Sequence, residues 1–250
     1  SGMNARVVTW LPREDKELRR VVLGAAGAVL FASEGLSEKK LGCAYGLRAG
    51  AEYEGRFVEE LRAPQRLFVM GAGDDAKPMV GMAALLGWSV TVVDGRGQLV
   101  RAERFADAER VVVAENMGEL GIKADDAVVL MTHSYEQDRE ILASLLPVGP
   151  RYLGLLGARH RSALLVSEVA ALIGMSVAEC CERIHAPVGL DLGGDGPEAI
   201  ALAVMAEVQA VCQGKLGAAR RLSAEDVARY LKEGGAARYL TAQCALDTVQ

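Results

Sequence analysis

The chain has 250 residues, 28 Lys and Arg against 33 Asp and Glu, and a formal net charge of −5. With 51% hydrophobic and 24% charged residues it can bury the core of one large domain or two small ones, which excludes a disordered chain. The acidic balance excludes a general electrostatic attraction to nucleic acid or to an anionic membrane, and no apolar run reaches the ~18–20 residues of a spanning helix.

Ser1-Gly2 ahead of Met3 reads as the scar of a cleaved fusion tag, and no charged-then-apolar leader follows it. Residues 3–63 are expected to form a small α+β domain, with strands at Val7–Leu11 and Ala28–Phe31 and a charged segment Arg13–Arg20 between them. Ala63-Pro64 marks its end, because the residue before a proline is pushed out of the helical region. From residue 64 to 213 short apolar runs alternate with helical patterns. The runs are Leu67–Met70, Ser89–Val93, Val111–Val113, Ala127–Met131 and Tyr152–Leu156. Helices are expected over Asp75–Leu86, closed by Gly87, over Gln137–Leu146, and over Pro197–Val211. That alternation places the chain in the α/β class, with a doubly wound parallel sheet covered on both faces. Residues 214–250 read as a helical tail, in which Ser223 and Asp226 form a capping box for a helix Ala224–Glu233. Five Cys, two of them adjacent and none in a C-x-x-C pair, give neither a disulfide framework nor a zinc pattern.

Gly71-Ala72-Gly73-Asp74-Asp75-Ala76 reads G-x-G-x-x-A between a strand and a helix. The first Gly permits the tight turn, the second lets backbone approach a pyrophosphate, and the helix N-terminus offers free N–H groups to an anion. Asp74 and Asp75 put two carboxylates where phosphates would sit, although they also suit the helix start. The turn is thus a nucleotide or phosphate site, or a turn kept for folding. Asp94 ends the second strand, where a carboxylate takes a ribose 2′-hydroxyl in NAD binders, or it is an ordinary strand-end Asp. Arg96 is placed to stack on a base, meet a phosphate, or pair with Asp94. Thr132-His133 follows the fourth strand at the ligand-binding edge. With Tyr135 and Asp138 nearby, His133 serves proton transfer or ligand contact, or it merely caps a helix. His160 in the basic cluster Ala158–Arg161 reads as a charged helix start. The segment His185–Gly194, with three Gly and one Pro, makes a site or plugs a core. No catalytic triad or paired-His metal spacing is present in the sequence.

Together these segments resemble the Rossmann-like domain of the XdhC/CoxI family, accessory proteins of molybdenum hydroxylases such as xanthine dehydrogenase and carbon monoxide dehydrogenase. The matching stretches are Gly71–Pro78, Leu86–Arg96, Arg104-Phe105, Met131–His133 with Asp138, Gly154–Arg159, Ile184–Gly193 and Pro197–Ala201 leading to Ala206-Glu207. They run in family order over residues 66–213. The amino-terminal region departs from the family pattern: it lacks the G-S-S-P-R-like and G-G-G-x-x-E-like segments, and Leu41–Gly46, with Cys43, only faintly resembles the Cys-Gly-Gly element.

The resemblance implies a Rossmann-like fold and a cytoplasmic accessory protein. Such a protein binds the molybdenum cofactor (molybdopterin), assists its sulfuration and delivers it to a hydroxylase, with that hydroxylase and a cysteine desulfurase as partners. It adds Gly157 and Arg159 to the candidate cofactor-binding residues Gly71, Gly73, Asp94, Arg96, His133, His185 and Asp191. The loop His185–Gly194 is expected to fold over the sheet edge, so that His133, Arg159, His185 and Asp191 line one crevice with Gly71 and Gly73. Two alternatives stay open: an NAD(P)-dependent oxidoreductase using Asp94 and His133, with NAD as cofactor, and a protein-interaction module on a relict Rossmann scaffold. Whether the chain is an enzyme, and whether it forms a homodimer, is left open by the sequence.

Overall fold

The computed structural model describes residues 4–217, apart from 13–16, 25–26, 52 and 115–116. The chain divides into two compact units, Ser1–Gln209 and Ala210–Gln250. Both sheets lie in the first. The tail helix expected at Ala224–Glu233 falls outside the described residues.

The first sheet is antiparallel, in the order β3-β2-β1-β4. Its strands are β1 (Ala5–Trp10), β2 (Arg19–Leu23), β3 (Val29–Ala32) and β4 (Arg56–Leu61), with α1 (Glu38–Ala44) between the last two. Alternation gives it one apolar face. Val8, Trp10, Val21, Leu23 and Val58 pack with Ala44 and Leu47. The charged segment expected between two strands turns into β2 at Arg19. Val21 and Leu23 point inward, while the Arg20 guanidinium donates to the Thr9 hydroxyl. β4 carried no recognisable sequence signal, because Val58 alone of its residues is buried.

The second sheet is parallel, in the order β7-β6-β5-β8-β9. It comprises β5 (Arg66–Met70), β6 (Ser89–Asp94), β7 (Arg110–Val113), β8 (Ala127–Leu130) and β9 (Tyr152–Leu155). This is the expected α/β fold with a Rossmann-like sheet. The interiors of β5, β8 and β9 are apolar because both faces are covered, β6 adds the buried Thr91, and β7 at the edge is partly exposed. Phe68, Met70, Val128, Leu130, Leu153 and Leu155 pack against helices α3 (Tyr135–Leu145) and α4 (Arg159–Ile173). Leu67, Val69, Val90 and Val92 alternate with them and face the other way, where α2 (Ala76–Leu85) lies on β5 and β6. α5 (Val177–Arg183) opens with a capping box, Ser176 and Glu179, and α6 (Pro197–Cys212) starts at the expected proline.

Two features position the site. Strand order reverses between β5 and β8, and ligands of doubly wound sheets bind at the carboxyl ends beside such a reversal. In addition, among the described residues neither crossover flanking β7 contains an α-helix. Each has only a short 3-10 turn, at Ala102–Arg104 and at Met117–Leu120.

Candidate functional site

The turn after β5 comes first. Gly71 has φ +125°, and a Cβ there would lie 2.7 Å from the Met131 carbonyl carbon, so only glycine lets the turn pass this close to the end of β8. At Gly73 the same space is filled by the Asp75 carboxylate, the mobile end of a side chain. The two acidic residues are not left uncompensated. Asp74 receives Lys77 Nζ at 2.7 Å and Arg104 Nη2 at 2.9 Å. The Lys77 hydrogen bond, then that of Arg104, holds its carboxyl below the usual range. Arg104 also donates to the carbonyls of Ala72 and Leu99. Asp75 Oδ2 lies 2.8 Å from His133 Nε2.

Asp94 is buried at the end of β6 and is fully engaged. Oδ2 accepts from the Ala72 N–H and Arg96 Nη2, and Oδ1 accepts from the Arg96 N–H and Nε, all at 2.8–2.9 Å. A carboxylate has about four acceptor positions, and all are taken. Burial opposes the charge, but the Arg96 hydrogen bond and the two backbone donors prevail, and its pKa falls to about 2. This corrects the reading of Asp94 as a ribose acceptor: a 2′-hydroxyl would have to displace one of four charge-assisted donors. Of the roles open to Arg96, pairing with Asp94 is the one observed.

His133 has φ +61°, the one non-glycine residue with positive φ among those described. The left-handed region costs a β-carbon residue about 1–2 kcal/mol, and such strain gathers at functional positions. Beneath it is a buried network. Thr132 Oγ1 donates to Asp138 Oδ1 at 2.7 Å, and Arg161 Nη2 donates to Asp138 Oδ2 at 2.7 Å. The Arg161 guanidinium lies 5.7 Å from the Tyr135 ring centre and packs under Gly157. Thus Asp138, expected to orient His133, instead ties the β8 end to α4.

Beside the turn opens a crevice of about 510 Å³. Met70, Val93, Ala114 and Ile141 give it apolar walls. Arg96, Gln137, Glu140 and Ser144 give it a polar rim, and Asp94, Gly95 and Thr132 complete it. Gln137, Glu140, Ile141 and Ser144 share one face of α3 at i, i+3, i+4 and i+7 spacing. That periodicity was present in the sequence, but the partner of the face was not.

The structure therefore gathers Gly71, Gly73, Asp94, Arg96 and His133 at one edge. Gly157 and Arg159 sit one strand further on, at the β9–α4 junction, and Arg159 and His160 are exposed in the first turn of α4. The expected single crevice is corrected. Gly157, Arg159, His185 and Asp191 do not line it, because the segment from Ile184 runs alongside β9 rather than over the sheet edge. His185 bridges Gly154 in parallel fashion and stacks on Tyr152 with ring centres 4.5 Å apart. Its Nδ1 is 3.5 Å from Glu207, which also accepts from the Tyr152 hydroxyl at 2.5 Å and from the Gly189 N–H at 2.9 Å. Asp191 is exposed. Among the described residues there is no cluster of three or more His, Cys, Asp or Glu able to hold a metal ion, and no single helix long and apolar enough to cross a membrane.

A family model described as the XdhC Rossmann domain matches residues 67–208. Two curated relatives are similar over part of the chain. One, from Bacillus subtilis, is named as a probable xanthine dehydrogenase subunit and is 32% identical over 61% of this chain and 44% of its own length. The other, the uncharacterised protein YqeB of Escherichia coli, is 34% identical over 57% of this chain and 26% of its own length. The chain thus spans less than half the length of either relative. A crystal structure of a xanthine dehydrogenase from Bacillus halodurans shares the fold, with a TM-score of 0.67 and 22% identity over 90% of this chain and 63% of that one.

Proposed function

The chain belongs to the XdhC Rossmann-domain family, and from that premise we propose that it is a cytoplasmic accessory protein of a molybdenum hydroxylase. In this reading it binds the molybdenum cofactor as cargo, assists its sulfuration and hands it to a client of the xanthine dehydrogenase or carbon monoxide dehydrogenase type. A cysteine desulfurase would be its second partner. The observation that carries the reading is one continuous edge where a backbone turn suited to a phosphate meets a crevice of small-molecule size. The cofactor carries both a phosphate and a planar pterin, so it matches both halves.

The residues present fit such cargo, with one condition. The Asp75 carboxylate, which fills the space over Gly73 while its Oδ2 bonds His133, has to move aside for a phosphate to approach the turn. Lys77 and Arg104 already offset the charge of Asp74. Bound, the cofactor supplies the redox chemistry of its client; the side chains here position and release it. A carrier requires binding rather than transition-state stabilisation. The NAD reading, by contrast, loses its ribose acceptor because Asp94 is saturated.

The test is reconstitution. Apo-hydroxylase and cofactor should regain activity faster with the chain than without it. His133→Ala should lower cofactor affinity and activation in proportion, by roughly ten- to a hundredfold. Arg159→Ala, one strand further along, should lower both by less. Normal binding by His133→Ala with complete loss of activation would instead assign chemistry to His133, and no binding of cofactor by the parent chain would sink the proposal.

A further inference from the structure

Along β1 of the antiparallel sheet, Arg6, Val8 and Trp10 share one face. Val8 and Trp10 belong to the apolar core, and Arg6 takes the next place on that face, opposite Leu23 of β2 and Glu60 of β4. A cavity of about 390 Å³ opens along this row. Buried Leu23 and half-exposed Leu61 give it apolar walls. Tyr45, just past the end of α1, lines it with its ring packed against Gly27, where a Cβ would come within 3.2 Å of that ring. Asn4 Oδ1 accepts the Ala63 N–H at 2.9 Å, which holds the segment carrying Arg62 beside the start of β1, and Arg62 also lines the cavity. None of these residues belongs to the Gly71–Gly73 edge.

The donors around this cavity are not used by the fold. The Glu60 carboxylate is 3.7 Å from Arg6 Nη2, too far for a hydrogen bond. Arg6 Nε is shielded from water and has no hydrogen-bond partner among the described residues. A buried donor without an acceptor is costly and uncommon in folded proteins. Among the described residues the Arg62 guanidinium and the Tyr45 hydroxyl also lack a hydrogen-bond partner. We propose that the cavity binds a small monocarboxylate with a flat apolar body, its carboxylate on Arg6 and Arg62 and its body against Leu23 and Tyr45. A guanidinium presents parallel N–H donors that match the two oxygens of a carboxylate. Two guanidinium groups against the one carboxylate of Glu60 leave a single net positive charge, which a monoanion neutralises. A phosphate monoester, close to doubly charged at neutral pH, brings a second charge toward Glu60. The volume lies within the usual range for small-molecule sites, and the mixture of apolar wall and few convergent polar groups is the usual composition of one. This site stands whether or not the chain carries the molybdenum cofactor.

The experiment is calorimetric titration of the full chain at neutral pH with benzoate and phenylacetate, and with benzamide, acetate and phenyl phosphate for comparison. At least one of the two aromatic carboxylates should bind saturably. Benzamide, which keeps the ring and loses the charge, acetate, which keeps the charge and loses the ring, and phenyl phosphate should each bind at least tenfold more weakly. Arg62→Ala, a change at an exposed position outside the strands, should weaken carboxylate binding tenfold or more, as should Arg6→Gln. Tyr45→Ala should weaken the aromatic carboxylates and leave acetate unchanged. His133→Ala, at the other edge, should leave every one of these affinities as in the parent. Absence of saturable binding by both aromatic carboxylates overturns the proposal. So do unchanged affinities in Arg62→Ala and Arg6→Gln together, equal binding of benzamide, or tighter binding of phenyl phosphate than of benzoate.

Discussion

Gly71 and Gly73 look equivalent in the G-x-G-x-x-A pattern, but their surroundings set them apart. Gly71→Ala meets backbone of Met131 and holds φ +125°, so it should destabilise the protein by on the order of 3 kcal/mol. Gly73→Ala asks only that the Asp75 carboxylate move, and its thermal melt should stay close to that of the parent. His133 offers a second contrast at the same edge. His133→Gly should be more stable than His133→Ala by about 1 kcal/mol, because glycine alone escapes the left-handed penalty. Asp94 controls the acid response. Its pKa falls from 3.8 to about 2 on folding. A carboxyl lowered in this way adds stability that is fully present above the unfolded value and is lost as pH drops through the folded one. The shift corresponds to about 2 kcal/mol. Urea titrations at stepped pH should show that loss in the parent chain, and Asp94→Asn should flatten the profile over that window.

Between elements, the buried Asp138 carboxylate pairs with the half-buried Arg161 and joins α3 to α4. Arg161→Leu leaves the Asp138 charge buried without its partner and should cost about 3–5 kcal/mol, and adding Asp138→Asn should recover part of that loss. Chemical denaturation of the single and double variants measures both. The same elements show what a sequence can reveal. β5, β6, β8 and β9 were legible because burial on both faces makes the runs largely apolar, with the β-branched Thr91 of β6 as the polar residue inside them. β4 was not, since its neighbours to Val58 are exposed and charged or aromatic, as solvent permits. The site divides similarly. The Gly71–Gly73 turn is local chemistry and could be read directly. The saturation of Asp94 depends on an amide 22 positions away, and the position of His185 depends on stacking with Tyr152, which no local pattern encodes.

At the scale of the molecule, ligand binding and folding are linked. Cofactor at a hundred times its Kd should add about 2.7 kcal/mol to stability and raise Tm by roughly 5–10 °C, and Gly73→Val should abolish the shift in a scanning fluorimetry experiment. The sheet order bears on how the chain is made. β5 is the central strand, yet it is the first of its sheet to leave the ribosome. Leu67 pairs with Val90 on one side, but its other neighbour, Ala127, follows about 60 residues later. During that interval Leu67–Met70, apolar on both faces, is an open edge able to recruit a strand from another nascent chain. Synthesis that stalls before Ala127 should therefore yield insoluble product, and the yield of native protein should depend on translation rate and chaperone supply through this stretch.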